Sequence, residues 1–144
     1  MLRAMARSNV TDHLARVPLF AACSKKELST IARATDAVSV PDGHVLTTQD
    51  DSSREAFVVV SGNVVVKRNN RKVAELGPGS LIGELGLLDR GPRTATVVAD
   101  GPVDLLVIAP REFAALLDDV PSITHKLLKT LASRIRELDT KTYG

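Results

Sequence analysis

Residues 83–97 of this chain read GELGLLDRGPRTATV and carry the polar side chains around which the rest of the sequence is organised. Glu84 and Arg93 lie nine positions apart, separated by a helix-forming run and a Gly-Pro turn, and a β-branched run follows Arg93. A short helix, a turn and a strand would bring both side chains to one concave site. The stretch therefore predicts a site for a small ligand.

The composition restricts the class of protein. The 144 residues fit one domain, and 44% hydrophobic residues are enough to bury one core. Aromatic residues make up only 3% and the basic residues are scattered at a net charge of +2, so no nucleic-acid surface is expected. One cysteine, and no run of about 18 apolar residues, are typical of a cytoplasmic protein that does not enter a membrane.

Helices are predicted at both ends of the chain. Two short helices lie within residues 1–35, and the second is expected to begin with a capping box formed by Ser24 and Glu27. Two more helices are predicted to begin at Pro110 and Pro121 and to occupy residues 110–140. The last of these is amphipathic and roughly 18 residues long by its apolar pattern.

The middle of the chain has the pattern of a β-sheet. Between residues 36 and 109, short β-rich runs alternate with turn signals such as those at residues 61–63 and 100–102, and one strand is expected to begin at Arg93. Many short strands at this spacing are typical of an antiparallel sandwich or roll. We therefore predict a mainly-β protein, an eight-stranded jelly-roll-like β-barrel with flanking helices, in which residues 83–97 contribute a short helix.

Several groups in residues 83–97 suit an anion. The amides in the first turn after Gly83 have no intrahelical partners and, with the helix dipole, attract negative charge, while Gly83 and Gly86 permit close approach. Arg93 presents a planar fork of donors that matches phosphate oxygens. Thr94 adds a hydroxyl group and Ala95 leaves room beside it.

Glu84 has the opposite chemistry. Its ionised carboxylate can only accept hydrogen bonds, which suits a sugar hydroxyl group and not a phosphate. An acceptor for a sugar next to donors for a phosphate indicates a nucleotide.

Residues 83–88 (GELGLL) followed by residues 92–97 (PRTATV) resemble the phosphate-binding cassette of cyclic nucleotide-binding domains. This is the family of bacterial catabolite activator proteins, protein kinase regulatory subunits and nucleotide-gated channels. The resemblance extends to the whole chain: opening helices, an eight-stranded roll with glycines at its turns, a cassette helix between the sixth and seventh strands, and two closing helices. The turn glycines are Gly43, Gly62 and Gly79.

The resemblance implies a role for each part of the cassette. Glu84 would accept from the ribose 2′-hydroxyl, Arg93 would bind the exocyclic oxygens of the cyclic phosphate, and nearby amides would complete the site. The last helix would be a lid over the base, with Arg134 as its base-facing polar residue. The ligand-binding residues that it implies are Gly83, Glu84, Leu85, Gly86, Arg93, Thr94, Ala95 and Arg134.

Simpler interpretations stand beside these roles. Glu84 and Arg93 could form a structural ion pair, and an arginine on an amphipathic helix such as Arg134 is usually only solvated. A dinucleotide-binding glycine loop at residues 77–83 is excluded because Pro78 removes an amide. The three histidines lie far apart, so no metal site is expected, and no nucleophile has a neighbouring base, so we predict that the protein is not an enzyme.

The leading hypothesis is a cytoplasmic sensor of cyclic AMP or cyclic GMP, with a preference for cyclic AMP, that signals to a protein partner by moving its C-terminal helices. The alternative is the effector domain of a catabolite-activator-type transcription regulator, or of a fused enzyme or channel, whose output domain lies outside this sequence. Met1 and the polar C-terminal end favour a standalone protein. The apolar stripe of the last helix fits either a homodimer contact or packing on the roll.

Overall fold

The computed structural model describes residues 7–52, 55–83 and 92–143, with the side chains of residues 9–138 within these ranges. Its helices are α1 (Arg7–Ala15), a 3-10 turn (Pro18–Phe20), α2 (Lys25–Ala32), α3 (Pro110–Asp119) and α4 (Pro121–Tyr143). Its strands are β1 (Thr35–Val40), β2 (Val45–Thr47), β3 (Ala56–Arg68), β4 (Arg71–Leu76), β5 (Leu81–Ile82) and β6 (Thr96–Ile108). None of the described helices is long and apolar enough to cross a membrane.

The start of α2 is fixed by the predicted capping box. The Ser24 hydroxyl accepts from the Glu27 amide at 3.1 Å, and the Glu27 carboxylate accepts from the Ser24 amide at 2.8 Å. Two amides that would otherwise lack a partner at the helix start are satisfied reciprocally. The prediction is confirmed.

The six strands found in the described residues form one antiparallel sheet in the order β1-β6-β3-β4, with β2 pairing to β6 and β5 to β3. Strands β3 and β6, each 13 residues long, run side by side through its centre. Among the described residues no pairing joins β4 back to β1, so the sheet is an open roll. The mainly-β architecture with flanking helices agrees with the prediction.

Within the described residues there are six strands, where the sequence predicts a roll of eight, because two predicted pairs of strands are continuous. The turn signals at residues 61–63 and 100–102 lie inside β3 and β6, where Gly62 (φ +87°) and Gly101 (φ +84°) bend the strands without ending them. The bends occur together: a Cβ on Gly62 would lie 2.4 Å from the Pro102 carbonyl oxygen. Pairing therefore resumes beyond both bends, from Asn63 opposite Asp100. The strand that is expected to begin at Arg93 begins instead at Thr96.

The central strands bury both of their faces. Val58 and Leu106 belong to a core shared with the helices, whereas their chain neighbours Val59 and Leu105 face a second core inside the roll. Successive side chains of a strand point to opposite faces, so a strand that is covered on both sides carries a continuous apolar run. This explains the uninterrupted apolar run of residues 56–60.

The C-terminal helices pack on the N-terminal ones through a small apolar cluster. The centroids of the Phe20 and Phe113 rings are 6.3 Å apart, and Ile123 and Leu127 of α4 are buried in the same cluster. The outer half of α4 is exposed, including its large apolar residues. Leu128, Ile135 and Leu138 are 61%, 66% and 65% exposed.

Candidate functional site

The main chain of Arg93 is fastened to the loop that follows β2. The Arg93 amide donates to the Asp51 carbonyl oxygen at 2.8 Å, and the Asp50 amide donates to the Arg93 carbonyl oxygen at 2.8 Å. Asp50 adopts a positive φ of 70°, a conformation that Asp tolerates better than most residues. These two hydrogen bonds hold the residue just before β6.

The side chain of Arg93 points inward and is only 6% exposed. Its Nη2 donates to the carbonyl oxygen of Glu55, the residue before β3, at 2.5 Å. A buried guanidinium is rare unless its surroundings favour the charge, because transfer of an ion out of water is costly. The chain therefore keeps a positive charge in its interior at the position where the sequence predicts a phosphate.

Gly83 provides the space that this guanidinium occupies. A Cβ at position 83 would lie 2.2 Å from Arg93 Nη1 and 3.0 Å from the Glu55 carbonyl oxygen, and φ of Gly83 is +76°. Only glycine satisfies both the close approach and the backbone conformation. Two predicted site residues ten positions apart, Gly83 and Arg93, are thus in direct contact.

Burial lowers the pKa of the Arg93 guanidinium, while the nearby carboxylates of Glu55 and Asp51 act to raise it. An arginine stays protonated under all ordinary conditions, so the direction of this pKa shift shows that burial disfavours the charge. An anion bound next to the guanidinium would offset this cost, and phosphate oxygens match the geometry of its fork.

The residues that follow Arg93 form the edge of the site. Thr94 is exposed, and its carbonyl oxygen accepts from Arg68 Nε at 3.1 Å. Ala95 is buried, and its carbonyl oxygen accepts from the Thr47 hydroxyl at 3.0 Å. Arg93 and Ala95 therefore face the interior, and the Thr94 side chain between them faces solvent.

The remaining predicted residues do not join this group. Glu84, Leu85 and Gly86 lie outside the described residues, as does most of the predicted cassette helix. Arg134 lines a separate cleft beside Leu19 and Leu81, which contains neither Arg93 nor Thr94. Its role at the base of a nucleotide stays a prediction.

Glu55 and Asp51 are the site residues that sequence reasoning missed. Both act on Arg93 partly through main-chain carbonyl groups, which every residue possesses, so no residue type marks them. Their carboxylates are a weak signal, since acidic residues in a loop are ordinarily only solvated. No group of metal-ligating side chains occurs within the residues that the structure describes.

Comparison with known proteins gives the class of protein. Residues 37–120 match the family model described as "Cyclic nucleotide-binding domain". The chain is 34% identical over 127 residues to the cyclic AMP receptor protein of Thermus thermophilus, covering 85% of this chain and 59% of that protein. It is 37% identical over 121 residues to a cyclic nucleotide-gated potassium channel of Mesorhizobium japonicum, covering 84% of this chain and 34% of the channel.

A solved structure agrees with this relationship. The N-terminal domain of a transcriptional regulator from Streptomyces coelicolor A3(2) superposes with a TM-score of 0.83 at 33% identity, covering 90% of this chain and 96% of that one. The chain therefore belongs to the cyclic nucleotide-binding domain family and is a regulatory binding domain by its similarity. It spans 59% and 34% of the length of the two relatives named above.

Proposed function

We propose that the protein is a non-enzymatic sensor that binds a cyclic nucleotide, with a preference for cyclic AMP, and transmits binding through its C-terminal helices. The cyclic phosphate binds the Arg93 guanidinium, with the amides near Gly83, Leu85 and Thr94 as further donors and Glu84 as the acceptor for the ribose 2′-hydroxyl. The buried Arg93 guanidinium against Gly83 carries this proposal, since it is a charge-assisted donor that belongs to the motif from which phosphate binding is predicted.

The packing of α3 and α4 supports the proposed transmission. Phe113 and Leu116 of α3 share one buried cluster with Ile123 and Leu127 of α4, so the two helices can move as a unit. The same cluster contains Val58, in the strand that begins one residue after Glu55. A ligand that binds the closed arrangement better than the open one shifts the helices, and near-complete switching needs a preference of roughly 5.5 kcal/mol.

Base preference rests on the lid and on Thr94. The exposed hydroxyl of Thr94 can contact either a phosphate oxygen or the 2-amino group of guanine, and we infer that it serves the phosphate. Titration with cyclic AMP and with cyclic GMP tests the preference for cyclic AMP. The melting temperature of the protein is measured at each nucleotide concentration. A ligand at 100 times its dissociation constant adds roughly 2.7 kcal/mol to the free energy of unfolding.

The outer half of α4 supports a partner contact. The exposed apolar residues follow a heptad-like spacing with the half-buried Leu131: Leu128 and Ile135 are seven positions apart, as are Leu131 and Leu138. Two copies of such a stripe are complementary to each other, so we infer that its occupant is a second copy of this chain.

The alternative is that this domain is the effector part of a longer regulator, enzyme or channel. It is favoured by the coverage of the relatives, which extend well beyond the matched region, and by the match to 96% of an isolated N-terminal domain of a transcriptional regulator. The reading frame around the coding sequence decides between the two: a downstream helix-turn-helix, catalytic or channel segment favours the alternative.

Calorimetry on Arg93→Ala tests the ligand assignment. The variant should lose about 2 to 5 kcal/mol of cyclic nucleotide binding, because the phosphate loses its counter-charge. Arg93→Lys keeps the positive charge but not the planar fork of donors, so its cyclic nucleotide affinity should lie between those of wild type and Arg93→Ala. Arg71→Ala, at an exposed residue of β4, is the control and should bind as wild type. Unchanged affinity in folded Arg93→Ala would refute the assignment.

A further inference from the structure

A second cleft lies away from Arg93, between the N-terminal segment and α4. Its volume is about 430 Å³, within the range of about 300 to 1,000 Å³ that is usual for small-molecule sites. One wall consists of Val17 and the 3-10 turn that follows it, with Leu19. The others are the β4–β5 connection, with Pro78, and Arg134 of α4. Gly83, Arg93, Thr94 and Ala95 are not among its lining residues.

The chemistry of the cleft is apolar with a positive edge. The described lining residues include two arginines, Arg16 and Arg134, and no carboxylate. The apolar side chains that are at least partly exposed at the cleft are Pro18, Leu76, Pro78 and Leu81, and the Ser80 hydroxyl is a further polar group. Such a surface favours a ligand that has an apolar body and a negative group within reach of a guanidinium.

Two walls of the cleft are held by the fold. The Gly79 amide donates to the Val59 carbonyl oxygen at 2.9 Å, and the Val59 amide donates to the Ser80 carbonyl oxygen at 3.0 Å, so the β4–β5 connection is fixed to β3. On the opposite side, the side chains of Val17 and Leu19 are buried, at 0% and 3% exposure, in the core that the helices share with the sheet. The lining is therefore largely preformed, which reduces the entropy lost on binding.

We propose that this cleft binds a small amphipathic anion, a carboxylate, sulfonate or phosphate ester carried on an apolar body, at a site that Gly83, Arg93, Thr94 and Ala95 do not line. Arg134 lies beyond Leu127, the last α4 residue buried in the helical core. An occupant that contacts both Arg16 and Arg134 links this part of α4 to the N-terminal segment, where Arg16 lies between α1 and the 3-10 turn. The cleft is thus a second input to the helix that responds to the cyclic nucleotide.

The probe is 8-anilinonaphthalene-1-sulfonate, a fluorescent sulfonate on an aromatic body, titrated into the folded protein. Saturable binding at one site is expected, and Arg16→Gln should weaken it by about tenfold because a charge-assisted contact is lost. Arg111→Gln makes the same charge change at an exposed residue of α3 and should bind as wild type. Arg16 is itself exposed, so its variant should fold, which circular dichroism checks.

A neutral probe separates the charge contact from apolar burial. N-phenyl-1-naphthylamine lacks the sulfonate and should bind the same cleft more weakly, with no difference between wild type and Arg16→Gln. The effect of Arg16→Gln on the sulfonate should persist in saturating cyclic AMP and cyclic GMP, and it does not depend on whether either nucleotide binds. Equal sulfonate affinity in wild type and Arg16→Gln, or the absence of saturable binding, would overturn the proposal.

Discussion

Glu27 of α2 accepts a hydrogen bond from the ammonium group of Lys126 on α4, although the two residues are 99 positions apart. The Glu27 carboxylate also accepts from the Ser122 hydroxyl at 2.7 Å and from the Ser24 amide at 2.8 Å. Glu27 is only 8% exposed, and each of its two carboxylate oxygens accepts at least one hydrogen bond. The residue that caps α2 therefore also fastens the first turns of α4.

We expect Glu27→Gln to destabilise the protein by about 1 to 2 kcal/mol, because a charge-assisted hydrogen bond becomes a neutral one. In a domain of this length this lowers the melting temperature by about 3 to 8 °C. Thermal and denaturant unfolding measure the change.

Glu112→Gln is the matched control for this substitution. Glu112 is an exposed acidic residue in the first turn of α3, so its loss removes only a favourable interaction with the helix dipole. It should therefore cost less than Glu27→Gln. Equal stability of Glu27→Gln and wild type would show that the contact contributes nothing.

The Glu27 carboxylate should also make the free energy of unfolding depend on pH. Its hydrogen bonds, chiefly from Lys126, lower the pKa of Glu27 from 4.5 to about 2 in the folded protein. The unfolded state therefore takes up this proton at higher pH than the folded state, and stability decreases as the pH falls from about 4.5 toward 2. The difference in unfolding free energy between wild type and Glu27→Gln should be constant above about pH 5 and shrink in this window. A constant difference down to pH 2.5 would contradict the role of Glu27.

How far the sequence predicts this network depends on distance along the chain. Ser24 and Glu27 are three residues apart in a known capping pattern, so their contact is predictable and is confirmed. The contacts of Lys126 and Ser122 are not predictable, since no periodicity relates residues almost 100 positions apart. Local motifs carry their own geometry, whereas tertiary contacts depend on how the helices pack.

The site shows the same limit. Arg93 and Gly83 are predicted as one group because both belong to one short motif, and the structure places the two residues in contact. That this group binds a phosphate stays a prediction. The carbonyl group of Glu55 is not predictable, since any residue supplies one. Two predicted strand boundaries differ for a related reason: Gly62 and Gly101 are typical of turns, yet β3 and β6 continue through them, where the two bends approach each other closely.

Gly83→Ala should reduce both stability and ligand affinity. The added Cβ would lie 2.2 Å from Arg93 Nη1 and displace the guanidinium, and the positive φ costs a non-glycine residue about 1 to 2 kcal/mol. We expect cyclic nucleotide affinity to fall by at least about tenfold, since the fork no longer points at the phosphate. Isothermal calorimetry and thermal unfolding measure the two effects.

Gly43→Ala separates the two causes. Gly43 has a similar φ of +80°, but a Cβ there meets nothing within 4 Å. Gly43→Ala should therefore lose only the stability that the positive φ costs, and it should bind cyclic nucleotide as wild type. If both variants bind equally well, the space beside Arg93 is not needed for the ligand.

From the exposed apolar stripe of α4 we predict that the protein forms a homodimer. Sedimentation equilibrium should detect a dimer, and Ile135→Ser should weaken it because Ile135, which is 66% exposed in the single chain, lies at the middle of the stripe. Val73→Ser is the control, since Val73 is 52% exposed on β4, outside the stripe, and its loss should leave the dimer intact. Both substitutions remove a similar apolar area from water-exposed positions, so only a contact between copies distinguishes them. A monomer at all concentrations, or a dimer that Ile135→Ser leaves unchanged, would refute this use of α4.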